Sequence, residues 1–173
     1  MNYVRDQPFD QVPAYKEGDL RLFESGAIVI HVGEKDERLL PRDTPGRMRA
    51  IAWLIAALNS IELYSCQLAD IDLFADDAEW AKLHRPEVVV SVAKRLSQVS
   101  DWLGDKEWLE DCFTIGDLMM IEALRGVSEA ALLARFPNLV AYVERGKARP
   151  AFQRALADQL AVFAKYQPEG ELA

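Results

Sequence analysis

Two short stretches near the amino end carry residue types and spacings that could do chemistry. The first is Gln11-Val12-Pro13. A residue before proline is pushed into extended backbone, and the proline itself offers no N–H. With the Val12–Pro13 bond cis, the N–H and C=O of Val12 turn outward, free to pair with an extended peptide. With the bond trans, the same step is an ordinary strand start. The second stretch is Phe23-Glu24-Ser25-Gly26-Ala27-Ile28. A strand running into a Ser cap aims unpaired backbone amides and the positive end of a helix dipole at one point, which suits a carboxylate. Gly26 would let a ligand come close, and Glu24 could accept from an ammonium group. A ligand with an amine and a carboxylate on one carbon satisfies both residues. Ser25 simply capping its own helix accounts for the same sequence without a ligand.

The remaining chemical residue types are sparse. His31 and His84 are distant and have no Cys or His at ligand spacing, so they read as surface residues and no metal site is expected. Cys66 and Cys112 make no redox or zinc spacing and suit packing roles in a reducing, cytoplasmic compartment. The chain has 173 residues, half of them hydrophobic, with 20 Lys and Arg against 28 Asp and Glu. That composition excludes disorder and collagen-like repeats. A formal charge of −8 argues against nucleic acid and anionic lipid as partners. The amino end lacks the apolar core of a secretory signal. The longest apolar stretch, 51–58, is too short to span a bilayer.

The elements that must position these residues follow from pattern. Leu20 and Leu22 alternate with Asp19 and Arg21, so 14–16 and 20–23 are expected to pair as a hairpin around Lys-Glu-Gly-Asp. A helix is expected from a Ser25 cap to about residue 34, then a charged linker over 35–43. Thr44-Pro45 reads as a cap and a first-turn proline, opening a long helix with Met48, Ile51, Ile55, Leu58 and Leu63 on its apolar stripe. Pro86 is expected to open the next helix, with Val88, Val92, Leu96, Val99 and Leu103 inward and Gly104 as its stop. Thr114 and Asp117 have the spacing of a capping box, with Phe113 and Leu118 as its staple. Helices over 128–135, 139–146 and 150–165 complete the pattern. An isolated hairpin is marginal in water, so something is expected to cover its face.

Taken together, these motifs resemble the glutathione transferase family. PFDQVPAYKEGDLRLFESGAI is similar to the family's NPFGQVPALxDGDxxLFESxAI, FTIGDLMM to its buried capping-box helix, and PNLVAYVERGKARPAFQRAL to its final helices. Gln7 stands where Asn is usual, and Asp10 where Gly is usual. The resemblance implies a mostly α fold: a partial thioredoxin-like, glutathione-binding α/β element (1–36) followed by an all-α glutathione-transferase C-terminal bundle (44–167). It implies that Val12 holds the cysteinyl part of glutathione beside a cis Pro13, that Glu24 and Ser25 hold the γ-glutamyl amine and carboxylate, and that Gln11 lies near the glycyl end. Asp10, being acidic, would weaken that binding modestly.

The family's catalytic Tyr, Ser or Cys belongs to a strand and helix upstream of everything matched here. No catalytic residue can therefore be assigned, and Tyr3 is merely the one aromatic hydroxyl before Gln11. A chain that begins late accounts for this better than a lost catalytic half. The implied activity is transfer of glutathione to a small apolar electrophile by a homodimer, with an acceptor pocket lined partly by the helix after Thr44. A glutathione-dependent isomerase or dehalogenase would share the binding site. The alternative from another class is a non-catalytic binding or scaffolding module, because such helical domains also serve as docking modules in translation-associated proteins.

Overall fold

The computed structural model describes residues 6–127 and 130–166. Tyr3 and the first two residues of the expected 128–135 helix lie outside that range. The hairpin forms as β1 (Ala14–Glu17) and β2 (Leu20–Phe23), antiparallel, with Ala14 opposite Phe23 and Glu17 opposite Leu20. Gly18 turns the chain at φ 57°, a left-handed conformation that glycine adopts without a Cβ penalty. Among the described residues these two strands are the whole sheet.

Helix α1 (Ser25–Gly33) follows at once. Its two buried glycines, seven residues apart, face the helical bundle. A Cβ at Gly26 would lie 2.9 Å from Leu58 Cδ1, and one at Gly33 would lie 2.6 Å from Ile115 Cγ2. Gly26 therefore serves close helix packing rather than the ligand approach expected of it. The 35–43 connection is not a free linker either: Leu40 is buried in the core, and Ile115 N–H donates to Leu39 O at 2.9 Å.

The bundle opens with α2 (Thr44–Ala56), a π-helical turn (Ala57–Glu62) and α3 (Leu63–Phe74), running without a break. Asp43, not Thr44, caps α2, accepting from Gly46 N–H at 2.8 Å. By length and composition alone this run could cross a membrane; one side of it packs against α5. Its buried face is Ala50, Leu54, Ala57 and Ile61, whereas Met48, Ile55 and Leu63 of the expected stripe are about half exposed. Close approach explains the choice. A Cβ on Gly116 of α5 (Ile115–Arg125) would meet Trp53 Cβ at 2.6 Å and Ala50 O at 3.1 Å, so the face with small residues turns inward. Both obstructing atoms are tied to backbone. Gly116→Ala should thus cost about 1–3 kcal/mol of unfolding free energy; a urea midpoint equal to the parent's would refute this crossing.

Helix α4 (Glu79–Leu103) begins seven residues before Pro86, which lies inside it. A proline removes one ladder bond and normally ends a helix there. Here the preceding turns are held from outside, by burial of Ala81 and by Arg85, whose Nε donates to Asp72 Oδ1 of α3 at 2.7 Å. Val88, Val92, Leu96, Val99 and Leu103 are buried as expected, and Gly104 stops the helix at φ 50°. After α5 come α6 (Ala130–Ala134), α7 (Pro137–Lys147) and α8 (Pro150–Tyr166). No residue of α8 is fully buried; Phe152 and Leu156 are half-buried. Both cysteines are exposed rather than packed.

The capping box is present in full. Thr114 N–H donates to Asp117 Oδ2 at 2.9 Å, and the Thr114 hydroxyl accepts from Gly116 N–H at 3.1 Å. Asp117 does more than cap. Fully buried, it also accepts from Leu109 N–H at 2.9 Å and from the Tyr142 hydroxyl at 2.8 Å. One carboxylate thereby joins α5, α7 and the 105–113 strap. Burial pushes its pKa up, against the pull of its donors, and burial with the adjoining carboxylate drives the Tyr142 hydroxyl far up.

Candidate functional site

The antiparallel register brings the two chemical stretches together. Because Ala14 faces Phe23, the residues just before β1 and just after β2, Val12-Pro13 and Glu24-Ser25, emerge at the same end of the hairpin. Directly opposed residues in such a pair have Cα atoms roughly 5 Å apart. The Val12–Pro13 bond is cis, and Val12 is 86% exposed. Gln11 and Pro13 are exposed as well.

Glu24 is the unusual residue. It occupies the N-cap position of α1 with φ 66° and ψ 120°, a backbone conformation that strongly favours glycine. Its side chain is exposed and caps nothing. Ser25, expected as the cap, is instead the first helical residue, half-buried, so its hydroxyl lies beside the unpaired amides of the first turn. Asp10 also has a positive φ, 55°. That explains a position where glycine is usual, since Asp tolerates the left-handed region better than most residues. Gln7 is buried, with its Oε1 accepting from Phe9 N–H at 2.7 Å, and so shapes the loop leading to Val12.

The far end of the hairpin is tied to the last turn of α1. Glu17 pairs with Lys35 at 2.5 Å and with His31 Nε2 at 2.7 Å, and the Tyr15 ring meets His31 edge-on at 5.7 Å. Hydrogen bonds from Lys35 and then His31 hold the Glu17 carboxyl at about 2. A depressed carboxylate pKa favours the fold above the ordinary value of 4.5, and that contribution disappears as pH falls toward 2. His31 thus acts as a brace, a role its sequence neighbours do not reveal.

Cavities among the described residues lie elsewhere. One of about 870 Å³ opens between residues 36–39, α5 and the start of α8; no α2 residue lines it. A smaller one, about 190 Å³, has Trp53 and Ala56 of α2 in its wall. Among the described residues no three His, Cys, Asp or Glu side chains converge as a metal site would need.

No family model matches the chain. Individual proteins do. A glutathione S-transferase of Hyoscyamus muticus is 28% identical over 170 residues, spanning 89% of this chain and 77% of that protein. The solved structure of a glutathione transferase from Burkholderia graminis, with two glutathione molecules bound per subunit, is 30% identical with a TM-score of 0.80 over 89% of this chain and 70% of its own. The chain belongs to the glutathione transferase family. A family member from Pseudomonas fluorescens, with two glutathione bound, superposes as well, at 27% identity and a TM-score of 0.80, covering 89% and 74% of the two chains. The mostly helical fold, a two-strand sheet followed by a helical bundle, is accordingly that of this family.

Proposed function

We propose that this chain binds glutathione at the end of the hairpin and passes it to a small apolar electrophile. The observation that carries the reading is the strained Glu24 beside the α1 N-terminus. A non-glycine residue in that conformation is retained where its side chain has work to do, and this one does none for the fold. In this reading the γ-glutamyl carboxylate accepts from the Ser25 hydroxyl and the first amides of α1, while its ammonium donates to Glu24. Val12 pairs through its backbone with the cysteinyl residue, beside Pro13, and Gln11 hydrogen-bonds near the glycyl end. These contacts fix the peptide and leave its thiol outward. No described residue is assigned to lowering the thiol's pKa.

The proposal extends to two domains (1–36 and 44–167), a cytoplasmic location and a homodimer. Exposed apolar side chains along α2 to α4, among them Ile55, Leu63, Phe74, Trp80 and Leu83, support a surface that a second copy covers. A non-catalytic glutathione-binding or scaffolding module is the second reading, favoured by a sheet of only two strands among the described residues.

Calorimetric titration with glutathione tests the binding. The full chain should saturate, and Ser25→Ala should weaken affinity by about 1–2 kcal/mol, the α1 amides remaining in place. Saturable binding that Ser25→Ala leaves untouched would remove the helix end from the site. Acceptor turnover then separates transferase from module.

A further inference from the structure

Among the described residues, the non-glycine positions with a positive φ are Asp10 at 55° and Glu24 at 66°, and both are acids. Backbone of this kind collects where a ligand is clamped. Both side chains are exposed, and neither carboxylate takes a hydrogen bond or an ion pair from the described residues. The cations of the hairpin are engaged or distant. Arg21 Nε donates to Asp6 Oδ1 at 3.1 Å and its Nη1 to the carbonyls of Gly18 and Leu20, while Lys35 pairs with Glu17. Lys16 stands four residues beyond Val12 on β1, about 13 Å of extended chain. The end of the hairpin thus presents two unmatched negative charges.

Asp10 is held in place. Its N–H donates to Gln7 O at 3.1 Å, and buried Gln7 accepts from Phe9 N–H at 2.7 Å, which fixes the turn ahead of Val12. With the γ-glutamyl group of a tripeptide at Glu24 and Ser25, and its cysteinyl residue paired at Val12, the peptide leads away from β2 and past Gln11. Whatever follows its glycyl residue then meets Asp10. A free glycyl carboxylate would lie there beside a like charge, whereas an ammonium would be attracted.

We propose, resting on the glutathione reading above, that the preferred ligand is glutathione capped through its glycyl carboxyl as an amide, the cap being a short chain that ends in an ammonium. Glu24 takes the γ-glutamyl ammonium and Asp10 takes the second one. Capping removes the repelled charge, adds an attracted one, and leaves the thiol free.

Calorimetry of the full chain with glutathione, its uncharged amide and its aminopropyl amide tests the preference. Affinity should rise in that order, by about tenfold from first to last at low salt, and the spread should shrink as salt is added. Asp10→Asn should bring the three within about twofold of one another. Asparagine accepts left-handed backbone as readily as aspartate, so the turn survives the change. Asp76→Asn removes the same charge from beyond the end of α3, about 24 Å further along the helix than Leu58, which packs against Gly26. It should leave the order intact. A parent chain that binds glutathione as tightly as the aminopropyl amide overturns the preference, and the glutathione reading survives that result if Ser25→Ala weakens both. An order that persists in Asp10→Asn, or that Asp76→Asn erases equally, also overturns it, because the net charge of −8 alone then draws the cation. Absence of binding by all three ligands removes both readings.

Discussion

Asp117→Ala should be the most damaging single change in the bundle, lowering unfolding free energy by about 3–5 kcal/mol and Tm by roughly 10 °C. The variant leaves the N–H groups of Leu109 and Thr114 and the hydroxyl of Tyr142 buried without their acceptor. Each orphaned donor costs about 1–3 kcal/mol, and losses within one network do not simply add. Asp117→Asn should recover only part, because its amide NH₂ would face donors. Tyr142→Phe, which removes one donor and keeps the carboxylate, should cost least. A pH series adds a second reading. Burial raises the Asp117 pKa above its ordinary 3.8, so between that value and the folded one the native state binds the extra proton. Stability should fall as pH rises through that window, and this slope should vanish in the alanine variant. Chemical denaturation of the three variants gives the order. An alanine variant within 1 kcal/mol of the parent would mean that the 105–113 strap is held by other contacts, such as Trp102 Nε1 donating to Leu109 O.

Much of this was legible in the sequence, for reasons that differ by element. The capping box was visible because its two members lie three residues apart, so the pairing that defines it is local. What the sequence hid is that the same carboxylate reaches Tyr142, which sits 25 positions away. The hairpin was legible from alternation and turn chemistry, and its register follows from both. The long helix after Asp43 misled because it is apolar on more than one side. Periodicity proposed Met48, Ile51, Ile55, Leu58 and Leu63. Ile51 and Leu58 do pack against the core, but the fully buried line runs through Ala50, Leu54 and Ala57, a choice set by the glycine of a different helix. Pro86 misled in the other direction, since a local rule met a tertiary brace from Asp72. At the candidate site the residue types were readable, but backbone strain was not. Nothing in Phe-Glu-Ser-Gly announces that Glu24, rather than Gly26, takes the positive φ.

That strain makes the final expectation the sharpest test of the site. Glu24→Gly should raise stability and lower glutathione affinity in the same molecule. At φ 66° and ψ 120°, a Cβ costs about 1–3 kcal/mol. Glycine removes that cost but brings unfolded-state entropy worth roughly 0.4–1 kcal/mol, leaving a net gain near 1 kcal/mol. The Glu24 side chain caps nothing, so the fold loses little with it. Glutathione, in contrast, would lose the anion facing its ammonium, a charge-assisted contact worth about 2–3 kcal/mol, or roughly 30- to 150-fold in affinity. Glu24→Gln separates the two effects, keeping the strain while removing the charge. It should share the loss of affinity without the gain in stability. If Glu24→Gly is more stable and binds glutathione as well as the parent, the strained backbone is a relic of the turn and the ammonium has another partner. If it is less stable, the Glu24 backbone is not strained in solution. Only opposed shifts in melting point and affinity would show a residue held at the expense of the fold for the sake of the ligand.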